Sequence, residues 1–162
     1  SGTFSPGGSA LLASPVAEPQ SGTVVPIGTT VQTSEAFSLT IVSVDQDALA
    51  AVQEWNPESV PPTGFQYVNV ELELGHLRDQ TDTFALETLV ALGPTGVAYS
   101  AVNNSCGPVF GPLSPGEYGG TLTMTGHVCF IIASQDVTGL RLYDATQPAD
   151  ERVYLSLDPE GN

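Results

Sequence analysis

Residues 65–74 read Phe-Gln-Tyr-Val-Asn-Val-Glu-Leu-Glu-Leu. Val68, Val70, Leu72 and Leu74 share one parity, while Asn69, Glu71 and Glu73 take the other. A period of two with apolar and charged residues so separated is a strand with one dry face and one wet face, the pattern of an antiparallel sheet in a sandwich. Upstream, residues 37–44 (Phe-Ser-Leu-Thr-Ile-Val-Ser-Val) put Phe37, Leu39 and Ile41 on one face. Downstream, Leu122, Met124, Val128, Phe130 and Ile132 alternate with Thr121, Thr123, Thr125, His127 and Cys129, and Gly126 is a candidate bulge within that run.

The rest of the chain fits the same scheme. Further strands are expected at 30–33, 84–92, 97–102, 139–143 and 152–157, with Gly93-Pro-Thr-Gly96 and Ser114-Pro-Gly-Glu117 as turns. Helical spacing is convincing only in residues 47–55, with Asp47 as N-cap and Leu49, Val52 and Trp55 on one side. Asn56-Pro57 stops that helix, and residues 58–64 complete a connection of about twenty residues, long for a sandwich. The pattern predicts an all-β, immunoglobulin-like antiparallel β-sandwich of about seven or eight strands, with one short helix in a long inter-strand connection. A barrel is the alternative architecture.

Residues 1–21 hold Pro6, Gly7, Gly8, Ser9, Ser14, Pro15 and Pro19, the composition of a flexible tether, and the sandwich is expected over residues 22–158 with a tail at 159–162. Such an arm suits a mature exported protein, or a lipoprotein whose lipid anchor lies upstream of residue 1. No apolar run approaches the ~20 residues needed to cross a bilayer.

Charge narrows the partners. The 162 residues carry 18 acidic side chains against three arginines (Arg78, Arg141 and Arg152), for a formal net charge of -15. Binding to nucleic acid depends on Lys and Arg to displace phosphate counterions, so that class is excluded, and an anionic membrane surface would repel the chain. What remains is a solubility device or a cationic partner.

Cys106 and Cys129 are the two cysteines of the chain. In an exported protein they are expected to pair, closing a loop of about 24 residues at a gain of roughly 3 to 4 kcal/mol. Their spacing is neither that of a redox-active Cys-x-x-Cys nor that of the inter-sheet cystine of immunoglobulins. Strand parity puts Cys129 on the side of Thr125 and His127, so the bond should staple a Gly- and Pro-rich loop onto a strand. Zinc would need Cys106, Cys129, His127 and His76 together, and this spacing matches no familiar zinc module. Calcium at Asp45-x-Asp47 or Asp79-x-x-Asp82 lacks the regular oxygen-rich loop. No metal and no cofactor is expected.

Enzyme signatures are missing: there is no Gly-x-Ser-x-Gly elbow, no phosphate loop and no His-Glu-x-x-His. A hydrolase would have to gather His76 or His127 with a carboxylate and a nucleophile in one pocket. The strongest recognition candidate is the long connection, where Trp55, Val60, Pro61, Pro62 and Phe65 can form an apolar patch in acidic surroundings. The competing expectation, and the favoured one, buries Trp55 as a plug over one end of the sandwich.

Five pieces in order carry a family likeness: Phe37-Ser-Leu-Thr-Ile-Val-Ser-Val44, Tyr67-Val-Asn-Val-Glu-Leu-Glu-Leu74, Leu113-Ser-Pro-Gly-Glu117, His127-Val-Cys-Phe130 and Gly139-Leu-Arg-Leu-Tyr-Asp144. Spanning about residues 22–157, they resemble the telokin-like family of secreted bacterial proteins and lipoproteins. The resemblance implies an immunoglobulin-like fold, a place in the envelope or outside the cell, and a non-catalytic module. The expected function is therefore an extracytoplasmic binding module that contacts another envelope or extracellular protein. The alternative is a structural spacer without a dedicated ligand.

Overall fold

The computed structural model describes residues 23–159. The expected tether at 1–21 and all of the 159–162 tail except Pro159 lie outside the described residues. Among the described residues eleven strands form: β1 (Thr23–Val25), β2 (Thr30–Gln32), β3 (Phe37–Asp45), β4 (Phe65–His76), β5 (Asp82–Phe84), β6 (Leu89–Leu92), β7 (Ala98–Ser100), β8 (Gly116–Tyr118), β9 (Leu122–Ala133), β10 (Arg141–Asp144) and β11 (Val153–Ser156). One short helix, α1 (Leu49–Gln53), stands between β3 and β4. A five-stranded sheet runs β1-β11-β10-β6-β7, a four-stranded sheet runs β2-β3-β4-β9, and β5 pairs with β8 apart from both.

The expected sandwich is present, with more strands than the seven or eight expected and one exception to antiparallel pairing: β1 lies parallel to β11. Residues 84–92 are not one strand. The segment breaks after Phe84, makes a 3-10 turn at Leu86–Thr88 and resumes as β6. Among the described residues, no helix is long and apolar enough to cross a membrane.

The core lies between the two large sheets. Leu39, Ile41, Val68, Val70, Leu72, Phe130 and Ile132 from the four-stranded sheet meet Leu89, Ala91, Tyr99, Leu142 and Leu155 from the five-stranded one. Burial at this scale is the main stabilising term, about 1.5 to 3 kcal/mol for each large side chain. A buried acid completes one side of it. Asp136 is fully buried, and its carboxylate accepts from Tyr99 Oη at 2.5 Å and Thr95 Oγ1 at 2.7 Å. Burial, and then the bond to Asp136, push the Tyr99 phenol well above its ordinary range.

The bulge expected at Gly126 is elsewhere. The β4–β9 ladder runs in unbroken register from Phe65–Ala133 to His76–Leu122, and the register shift falls between Ile41 and Ser43 of β3. Val42 is the extra residue there and is exposed, which lets Val44 turn back toward the core after Ile41. Gly126 answers a different need. A Cβ there would lie 2.5 Å from Leu113 Cα, so only glycine lets the 106–113 loop cross the strand so closely.

Candidate functional site

The outer face of the four-stranded sheet carries two kinds of cover. Tyr67 and Cys129, both on the wet parity expected from sequence, are buried beneath Ala48 and Val52 of the α1 region and Cys106 and Val109 of the downstream loop. Helix α1 is held by Ala48 N–H donating to Tyr67 O at 3.0 Å, by Gln53 Nε2 donating to Ser59 O at 2.9 Å, and by a 2.6 Å hydroxyl bond between Ser59 and Tyr67. Its start differs from expectation. The N-cap position is Ala48, without a side-chain cap, and Asp47 instead donates its N–H to Asp45 Oδ1.

Cys106 and Cys129 form a disulfide, and it does what the strand parity implied. Cys106 N–H donates to Cys129 O and Ile131 N–H to Asn104 O, while Leu113 N–H donates to His127 O and His127 N–H to Gly111 O. The loop thus covers the outward edge of β9 from His127 to Ile131, a row of groups that would otherwise invite pairing with another strand.

Trp55 does not plug the sandwich. It is 55% exposed, Val60 is 68% exposed, Pro62 is exposed, and Pro61 and Phe65 are half-buried. The helix ends at Gln53, so Trp55 lies past the last residue to which helical spacing applies, and Ala48 and Val52 fill the place it was expected to take. A second aromatic joins this layer unannounced by the sequence reading: Phe110, 73% exposed, follows the buried Val109 directly. Trp55 and Phe110 therefore project from the two segments that together cover the outer face of the sheet.

At the far end of β4, His76 is buried and makes a contact the sequence reading missed. Its Nδ1 lies 2.7 Å from Gly120 O and its Nε2 2.7 Å from Asp82 Oδ2. A carbonyl only accepts, so Nδ1 carries a proton. An ionised carboxylate also only accepts, so Nε2 carries one too, and the ring is held as an imidazolium. Arg78 clamps the same carboxylate, with Nε on Oδ2 at 2.9 Å and Nη2 on Oδ1 at 2.7 Å, and reaches Glu35 at 3.2 Å. Arg78 foremost, then His76, hold the Asp82 carboxyl far below the usual carboxylate range, and the bond to Asp82 raises the pKa of His76. A charged residue at a strand end followed by Arg78 and Asp82 four apart was the available signal.

These contacts decide what the histidines can do chemically. His76 has its carboxylate, but its other nitrogen is occupied by Gly120 O, which leaves no ring atom to accept a proton from a nucleophile. His127 sits opposite Glu71 on the outer face, with Nδ1 3.2 Å from Gly111 O, and the paired cysteines are no longer thiolates. The four residues considered for zinc are therefore not one ligand set. Asp45 and Asp47 make a local turn, and Asp82 is engaged by Arg78 and His76.

A cleft of about 270 Å³ adjoins Asp82, lined also by Phe37, Phe84, Thr88 and Asp144. Asp144 is committed to its own turn, accepting from Thr146 N–H at 2.8 Å and from its hydroxyl at 2.7 Å. On the outer face of the five-stranded sheet, Arg152 lies over the Tyr143 ring at 4.2 Å and Arg141 over Tyr154 at 5.7 Å.

No protein-family model matches the chain, and neither does any curated protein sequence. Solved structures are similar to it. A secreted protein from Mycobacterium tuberculosis, MPT63, aligns with a TM-score of 0.53 at 15% identity over 85% of this chain and 99% of that one. The yjhA protein from Bacillus subtilis aligns with a TM-score of 0.52 at 12% identity over 82% of this chain and 98% of its own. A candidate lipoprotein from Bacillus subtilis, ycdA, gives 0.50 at 8% identity over 80% of this chain and 38% of that one. At these identities the likeness establishes the β-sandwich fold.

Proposed function

We propose that this chain is a non-catalytic binding module that works outside the cytoplasm, in a telokin-like secreted protein or envelope lipoprotein, and contacts another envelope or extracellular protein. Its contact surface is the layer over the four-stranded sheet: Trp55, Val60, Pro61, Pro62 and Phe65, together with Phe110 on the loop that packs against the α1 region through Val109. The observation that carries this reading is the exposure of Trp55 and Phe110 from segments that are themselves firmly held, one by its bonds to Tyr67 and Ser59, the other by a disulfide. Large aromatics on a rigid support lose little entropy when a partner covers them, which is why such residues dominate binding energy. A spacer domain would gain nothing from leaving its tryptophan in water.

The disulfide and the fold shared with a secreted protein and a candidate lipoprotein support the compartment. The occupied ring nitrogens of His76 support the absence of catalysis.

A photo-crosslinking amino acid placed in turn at positions 55, 110 and 150 tests the surface in cells of the source organism. Adducts of one discrete mass are expected from positions 55 and 110 and not from Asp150, which is exposed elsewhere. Excess unlabelled parent protein should compete them away, and the W55A/F110A protein should not. Equal adducts at all three positions, or indifference to the parent competitor, would overturn the reading.

A further inference from the structure

We infer that the partner presents a basic segment with apolar side chains, which docks across Trp55 and Phe110 and meets the carboxylates that share their face. This rests on the binding reading above and adds the chemistry of the partner.

Carboxylates share the face and the segments that carry these aromatics. Asp45 and Asp47 stand at the entry to α1, Glu54 and Glu58 flank Trp55 in sequence and are exposed, and Glu71 and Glu73 lie on the uncovered strip of the same sheet face. Every arginine is elsewhere. Arg78 is clamped on Asp82 and Glu35, and Arg141 and Arg152 lie over tyrosines of the five-stranded sheet. Among the described residues the basic side chain on this face is His127, turned to the Gly111 carbonyl.

Charge complementarity then chooses among occupants. A second copy would bring the same carboxylates and the same net charge of -15. An anionic lipid surface would be repelled likewise. A segment with Lys or Arg spaced among apolar residues gains on both counts, because its apolar side chains cover Trp55, Val60 and Phe110 while its cations steer the encounter and fix the register.

The chain contains its own reporter, since Trp55 is the one tryptophan in it. The probes are a 14-residue Leu/Lys amphipathic peptide free of tryptophan and its Leu/Glu counterpart, titrated while the emission of Trp55 is followed. A saturable blue shift is expected with the Leu/Lys peptide and none with the Leu/Glu peptide. The E54Q/E58Q protein should bind about five- to tenfold more weakly, as loss of two nearby charges implies. The D150N/E151Q protein, which loses the same charge elsewhere, should change less than about twofold.

Equal weakening by both double variants would mean that diffuse net charge attracts the peptide, and would overturn the inference. So would equal shifts with both peptides, or no shift with Leu/Lys. If crosslinking at positions 55 and 110 stands while the Leu/Lys peptide fails, the surface survives and only its basic partner falls. Failure of both removes the binding reading as well.

Discussion

Removing the staple is the perturbation whose size the structure sets most directly. The Cys106→Ala/Cys129→Ala protein loses a crosslink between residues 23 apart, a closed loop of about 24 residues, and the loop-entropy account gives about 3.5 kcal/mol for it. The loop itself should stay in place. Four backbone bonds tie residues 104–113 to β9, each worth about 1 kcal/mol net, and Val109 and Leu113 remain buried. The loss is thus felt mainly as a more expanded unfolded chain. Urea unfolding followed by far-UV circular dichroism is the assay, because Trp55 is exposed in the folded state and reports its unfolding poorly. The midpoint should drop by roughly 1 to 3 M, with an m-value that rises as the uncrosslinked chain exposes more surface. A drop below about 0.3 M would refute the reasoning, for the crosslink would then not be constraining the unfolded chain. Self-association of the double variant at concentrations where the parent stays dispersed would refute the other half, since it would mean that the loop had left the edge of β9.

Three further outcomes follow from the same structure. Gly126→Ala forces a Cβ to within 2.5 Å of the Leu113 backbone, and should cost about 1 to 3 kcal/mol in the urea midpoint, far more than alanine costs in an open strand. Tyr99→Phe takes one of two hydroxyl donors from the buried Asp136 and should cost about 1 to 3 kcal/mol by thermal or urea unfolding, whereas Thr83→Ala, at an exposed site, should leave stability unchanged. His76 has a raised pKa in the folded state, so its contribution is whole below about pH 6.5 and fades as pH rises through the folded value. Asp82 is depressed, so its contribution is present above its ordinary range and fades only as pH falls through the folded value. His76→Gln should flatten the loss of stability between neutral and alkaline pH, and an NMR titration of the His76 ring should show a midpoint above 6.5; a midpoint below 6.5 would remove the imidazolium from this account.

How far the sequence could be read depends on how long each pattern persists. β4 and β9 are twelve residues long and β3 alternates from Phe37 to Ile41 before its bulge, so their apolar faces stand out, as does the parity of Cys129. β1, β5 and β8 have three residues each, too few for any period to show, and the pairing of β5 with β8 depends on partners far apart in the chain. Gly126 was ambiguous because a bulge and a close crossing both require glycine, and only the position of Leu113 tells them apart. Trp55 misled for a sharper reason. Helical spacing from Leu49 through Val52 predicts burial only while the helix continues, and this one stops two residues short of Trp55. Phe110 lies in a loop without a period. Of Val109 and Phe110 one turns inward and one outward, and no local rule says which.

The placement of the arginines gives the net charge its meaning. With 18 acidic residues and three basic ones, a uniform scatter would leave every face mildly negative and no face distinctive. Instead Arg78 joins β4 to β5 through Asp82, while Arg141 and Arg152 shelter Tyr154 and Tyr143 where the outer face of the five-stranded sheet would otherwise expose two aromatic rings. Those rings are almost fully buried, at 1% and 3% exposure, while Trp55 and Phe110, on the segments over the four-stranded sheet, are open. The same chain therefore closes one aromatic face with its own cations and leaves the other exposed, on a face that carries carboxylates and no arginine. What guanidinium groups do internally for the first face, a basic partner would do for the second. The attraction would weaken with salt, because exposed charges at physiological ionic strength act over about 8 Å.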